Sequence, residues 1–158
     1  MTLNLSRKPD IPQLGEKNIL LPLDGIVGQS LYYRFMTRVF LADPLIEERS
    51  ALRILLLDLQ MEMVGEASDW LTLMTQVGPS CPDMILLSWE LLPRNFKHSI
   101  AHLRKSCPNA VIIAIANKSE YYQRAAQLAG VDAFISKEEF PLRVAAILRT
   151  AVKSKGNV

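Results

Sequence analysis

From Arg38 onward, short apolar runs alternate with longer amphipathic stretches. Val39-Phe40-Leu41-Ala42, Met61 to Ala67, Met84 to Leu87, Val111 to Ala116 and Ala133 to Ile135 are the short runs, and a segment of helix length follows each. This pattern predicts five strands and five helices, the first helix reaching about Leu57 and the second running from Trp70 to about Gln76. Runs that are apolar throughout mark strands buried on both faces, so the expected sheet is parallel with helices on each side. The expected fold class is α/β, a doubly wound five-stranded parallel sheet.

Local chemistry at the helix ends supports this count. Asp43 stands where an N-cap is wanted, Pro44 suits a first helical position, and Glu47 and Glu48 favour the positive end of the helix dipole, so the first helix is expected to start at Pro44. Ser119 is the expected cap of the fourth helix, and Gly130 the left-handed residue that ends it. Pro141 opens the fifth, whose Val144, Ile147, Leu148 and Ala151 recur at helical spacing and which is expected to run out near Lys153. Residues 154–158 are expected to form a short tail, leaving no room for an output domain such as a helix-turn-helix. Residues 1–37 stand outside the alternation, with Pro9, Pro12, Pro22 and three glycines. Two readings of this N-terminal arm stand: Met36 is the true start and the arm an artefact of start-site choice, or the arm docks on the domain through Leu31, Tyr32, Tyr33 and Phe35.

Composition narrows the function classes. A chain of 158 residues, 49% of them hydrophobic, fits one domain able to bury roughly 70% of its unfolded surface. Eighteen basic and sixteen acidic residues leave no strong field of one sign, so direct nucleic-acid contact is not expected. No apolar stretch approaches the ~20 residues that span a bilayer. Asp10, Glu16 and Lys17 fall where a signal peptide would need an apolar core, so a cytoplasmic protein without membrane contact is expected. Cys81 and Cys107 lack close pairing or metal-type spacing and are expected as reduced thiols. His98 and His102 stand four apart but have no third ligand, and beside Lys97, Arg104 and Lys105 they fit an exposed polar face. Ser88 lacks the Gly-x-Ser-x-Gly surroundings of a hydrolase nucleophile.

The segments Arg38 to Asp43, Val64-Gly65-Glu66-Ala67-Ser68, Pro82-Asp83 to Leu87, and Ala129-Gly130-Val131-Asp132-Ala133-Phe134-Ile135-Ser136-Lys137 together resemble the receiver domain of two-component response regulators. The resemblance covers residues 38–153 and implies a flavodoxin-like sheet and a place in phosphorelay signalling. In that family an acidic pair after strand one and an aspartate ending strand three hold Mg²⁺, the aspartate accepts phosphate, and a lysine after strand five pairs with the phosphoryl group. Carried over residue by residue, Asp43 matches the first acid and Lys137 the lysine. Pro44 replaces the second acid and Ser88 the phosphoacceptor. The switch hydroxyl of strand four falls at Ile115, between Ala114 and Ala116, while Phe134 keeps the switch aromatic and is expected only to pack.

Magnesium demands near-octahedral oxygen ligands, so binding at such a site is expected to be weak or absent. Ser88 would need a base and a metal to attack a phosphoryl donor, and Lys137 is a cation at neutral pH. No cofactor, metal or enzymatic activity is expected. Asp43 and Lys137 are expected to pair across the pocket mouth, with Ser88 hydrogen-bonding either one. The expected function is that of a degenerate pseudo-receiver, independent of phosphorylation, acting through a signalling or transcription protein or as a homodimer. Tyr121, Arg124 and Leu128, facing outward on the fourth helix, are the candidate partner surface. Two alternatives remain: the receiver part or antagonist of a helix-turn-helix DNA-binding regulator, and an α/β domain taking a small ligand near Asp43, Ser88 and Lys137.

Overall fold

A computed structural model describes residues 36–139 and 142–155. Residues 1–35 of the expected arm and Pro141 lie outside the described residues. Five strands, β1 (Arg38–Ala42), β2 (Glu62–Ala67), β3 (Met84–Ser88), β4 (Val111–Ala116) and β5 (Ala133–Ser136), form one parallel sheet in the order β2-β1-β3-β4-β5. Among the described residues five helices alternate with them: α1 (Ile46–Asp58), α2 (Trp70–Ser80), α3 (Phe96–Ser106), α4 (Glu120–Ala129) and α5 (Leu142–Lys155). One-turn 3₁₀ segments follow β3 and β5. The continuously apolar runs of β1, β3 and β4 are buried on both faces, whereas β2, with Glu62 and Glu66, is only partly buried along most of its length.

Successive side chains of a strand point to opposite faces, and the core divides accordingly. Val39, Leu41, Met84, Leu86, Ile113 and Ile115 meet Leu52 and Leu56 of α1 and Val144 and Leu148 of α5. Phe40, Ile85, Leu87 and Ile112 face the other way, onto Leu73 and Val77 of α2 and Ile100 and Leu103 of α3. Ala125 and Ala126 of α4 close the layer against Trp89, Ala114 and Ala116. Each large aliphatic side chain fully buried in this way stabilises the fold by roughly 1.5–3 kcal/mol.

Carboxylates pin the amino ends of the strands. Asp83 Oδ2 accepts the Arg38 N–H at 2.8 Å. Asp132 Oδ2 accepts the Ile112 N–H at 2.8 Å and Arg104 Nη2 at 2.9 Å, while Arg104 Nη1 reaches the Ala110 carbonyl at 2.7 Å, so α3 is tied to the starts of β4 and β5. Gly130 ends α4 in the left-handed region at φ 91°, as expected.

The first helix begins later than Asp43 and Pro44 imply. Its N-cap is Leu45, which offers no capping side chain, and helical hydrogen bonding starts at Ile46. Asp43 is committed elsewhere: its N–H donates to the Ala67 carbonyl at 3.0 Å, and its Oδ1 accepts the Leu45 N–H at 2.8 Å, closing a turn around Pro44. At α2 the expected end near Gln76 is exceeded by a turn that contains Pro79, while Val77 remains fully buried. Ser119 holds the N-cap position of α4 without a side-chain hydrogen bond, and α5 runs two residues past Lys153.

Candidate functional site

The strand order reverses direction between β1 and β3, and the carboxyl ends of strands at such a switch point are where α/β sheets place their sites. Asp43 follows β1, Ser88 ends β3 and Lys137 follows β5, so topology brings these three to one end of the sheet. Ile115 is the register partner of Ser88 across β3 and β4. It lines a cavity of about 170 Å³ together with Glu48, Ala51, Leu52 and Lys137.

The expected Asp43–Lys137 pair does not form. Lys137 Nζ instead lies 2.8 Å from Glu48 Oε2 and 3.4 Å from Glu90 Oε1. Glu48 comes from the first turn of α1 and Glu90 from the 3₁₀ turn after β3, so each reaches the lysine across the fold. Ser88 bonds neither expected partner. Its Oγ and Asp43 Oδ2 are buried with no hydrogen-bond partner among the described residues. The Ser88 backbone continues the β3–β4 pairing, opposite Ile115.

Electrostatics follow from this arrangement. Burial pushes Asp43 up to about 6; the Leu45 N–H opposes the rise, the neighbouring Glu48 carboxylate adds to it, and Lys137 offsets part of it. Burial alone would lower Lys137, but Glu48 first, then Glu90 and Asp43, outweigh that penalty and hold its ammonium above its usual range. The site is therefore a carboxylate of raised proton affinity beside an ion-paired lysine.

The donor set does not fit Mg²⁺. Ser88 is neutral, Pro44 supplies no ligand side chain, and Glu48 is engaged by the Lys137 ammonium. Among the described residues no cluster of three or more His, Cys, Asp and Glu side chains is arranged to hold a metal. Phe134 is half-buried and packs with Ala114, Ala116, Ala125 and Ala126. Tyr121 and Leu128 are 67% and 63% exposed on α4, and Arg124 is exposed beside them. Glu48 and Glu90 are the site residues that sequence reasoning missed. The only signal for Glu48 was an acid in the first turn of a helix, which the helix dipole already explains.

No family model and no curated protein matches the chain. Solved structures do resemble it. The receiver (REC) domain of AraT, a response regulator from Geobacillus stearothermophilus, is 20% identical with a TM-score of 0.66, the match covering 76% of this chain and 95% of that one. The isolated REC domain of RcsB from Salmonella enterica serovar Typhimurium, solved with phosphomimetic BeF₃⁻, is 16% identical with a TM-score of 0.67 over 75% and 89% of the two chains. The crystal structure of the P1 domain of CheA3 in complex with CheY6 from R. sphaeroides supplies a match of 17% identity and TM-score 0.64, over 74% and 97%. At these identities the likeness concerns the fold: the chain has the receiver fold, a flavodoxin-like parallel sheet between helices.

Proposed function

We propose that residues 38–153 form a receiver-like module that signals through protein contact in the cytoplasm, without phosphorylation and without enzymatic activity. The carrying observation is the Lys137 ammonium engaged by Glu48 and Glu90, at the end of the sheet where the buried Ser88 hydroxyl has no hydrogen-bond partner among the described residues. A phosphoryl group needs a nucleophile, an activating base or metal, and a free cation to receive its charge. This pocket offers a neutral hydroxyl, a lysine already paired, and an Asp43 carboxylate that is not hydrogen-bonded to that hydroxyl. Phe134, packed against small side chains, has no hydroxyl at Ile115 to follow.

A module of this kind acts through its surface. Tyr121 and Arg124 are of the residue types enriched in protein-binding hot spots, and Leu128 adds exposed apolar area beside them. The neighbour solved as a complex of CheA3 P1 with CheY6 supports a protein partner for a fold of this type; a second copy of this chain would meet the same chemistry. Incubation with acetyl phosphate and Mg²⁺ followed by intact mass tests the central claim. The expected outcome is an unchanged mass, and a phosphoryl adduct that disappears in Ser88→Ala overturns it.

A further inference from the structure

Cys81 and Cys107 are 26 positions apart in sequence, yet the fold delivers both thiols to one helix end. The last carbonyls of an α-helix have no intrahelical donor. At the end of α2 two of them are met by sulfur: Cys107 Sγ donates to the Val77 carbonyl at 3.5 Å, and Cys81 Sγ to the Gly78 carbonyl at 3.2 Å. Those carbonyls belong to consecutive residues, about 1.5 Å apart in rise and about 100° apart around the helix. Burial, and secondly the nearness of the Cys81 sulfur, push the Cys107 thiol up.

The two cysteines differ in access. Cys81 is exposed and Cys107 is buried at the end of α3. Cys81 also occupies the left-handed region at φ 47°, uncommon outside glycine, and is held there by its N–H on the Gly78 carbonyl at 3.1 Å and by Arg38 Nη1 on its own carbonyl at 2.8 Å. An exposed thiol and a buried one held at the same helix end suit the roles of a reacting and a resolving thiol.

We propose that Cys81 and Cys107 are an oxidation site that closes into a reversible intramolecular disulfide, with a peroxide as the oxidant. The Cys81 thiolate attacks one peroxide oxygen, the O–O bond breaks, and a sulfenic acid forms as hydroxide or alkoxide leaves. The Cys107 thiolate then attacks the Cys81 sulfur, the S–O bond breaks, and the departing hydroxide takes a proton to become water. Two thiols lose two electrons in total, and the peroxide gains them. Closure needs the Cβ atoms within about 4.5 Å, and the movement falls on Cys81, at the chain corner before Pro82. The bond ties the ends of α2 and α3 together on the sheet face away from α1 and α5.

The test uses the full chain treated with hydrogen peroxide, alkylated, and read by intact mass and non-reducing peptide mapping. The expected product has lost two hydrogens, carries a Cys81–Cys107 linked peptide, takes no alkyl label and reverts with dithiothreitol. Cys81→Ser, altered at an exposed position, is expected to give no such product while keeping its far-ultraviolet circular dichroism. Oxygen addition at Cys81, or a disulfide-linked pair of chains, with Cys107 still open to alkylation after unfolding, overturns the proposal.

Discussion

Burying Asp43 beside the Glu48 carboxylate gives the folded state a higher proton affinity than the unfolded chain. With a folded value of about 6 against an ordinary 3.8, stabilisation by the bound proton is fully present below pH 3.8 and is lost as pH rises through 6. The contribution lost is on the order of 3 kcal/mol. Asp43→Asn keeps an acceptor for the Leu45 N–H and removes the charge, so it is expected to be more stable than the parent at pH 8 and to flatten the pH dependence between 4 and 6. Urea midpoints across that range measure both. At this scale the sequence was informative about placement: Ser88 ends β3, Ile115 pairs with it from β4 and Lys137 follows β5. It was silent on partners. The lysine's counter-ions come from a helix turn and a 3₁₀ turn whose distances exist only after folding, so the expected Asp43–Lys137 pair gave way to Glu48 and Glu90.

Elements were legible to the extent that burial alone defines them. Strands β1, β3 and β4 are apolar runs buried on both faces and read directly from hydrophobicity, and Gly130 marks the end of α4 through its backbone freedom. The start of α1 was misread because an aspartate before a proline suits an N-cap and an Asx turn equally, and the choice was made by Asp43's hydrogen bond to Ala67 in another strand. Gly65 had no local signal either. The β1–β2 register shifts between Val39 and Phe40, and a Cβ at Gly65 would lie 2.4 Å from Cε2 of the fully buried Phe40 ring. Gly65→Ala is therefore expected to cost about 1–3 kcal/mol, read as a lowered urea midpoint with an unchanged denaturant slope.

Across the whole molecule, the layer order followed from the alternation of strands and helices, whereas the surface did not. Helix α1 is apolar on two sides: Leu52 and Leu56 face the core, while Ile46, Ile54 and Leu57 are 62%, 63% and 68% exposed. An amphipathic pattern cannot be read from a helix with apolar residues on both sides, so this face was not anticipated. Replacing Ile54 and Leu57 together with lysine is expected to change stability by no more than about 0.5 kcal/mol for each position while raising the concentration at which the protein stays monodisperse; light scattering and thermal melting measure the two effects. The strand order has a further consequence, in time rather than in space. Strands β1, β3 and β4 are each flanked by two neighbours, whereas β2 and β5 end the row. In deuterated water the amides of the three inner strands are expected to retain their protons until the entire sheet opens, and those of the four-residue β5 to surrender them through small local openings. Mass-resolved exchange would then give the global unfolding free energy from the centre of the sheet and the cost of fraying from its edge.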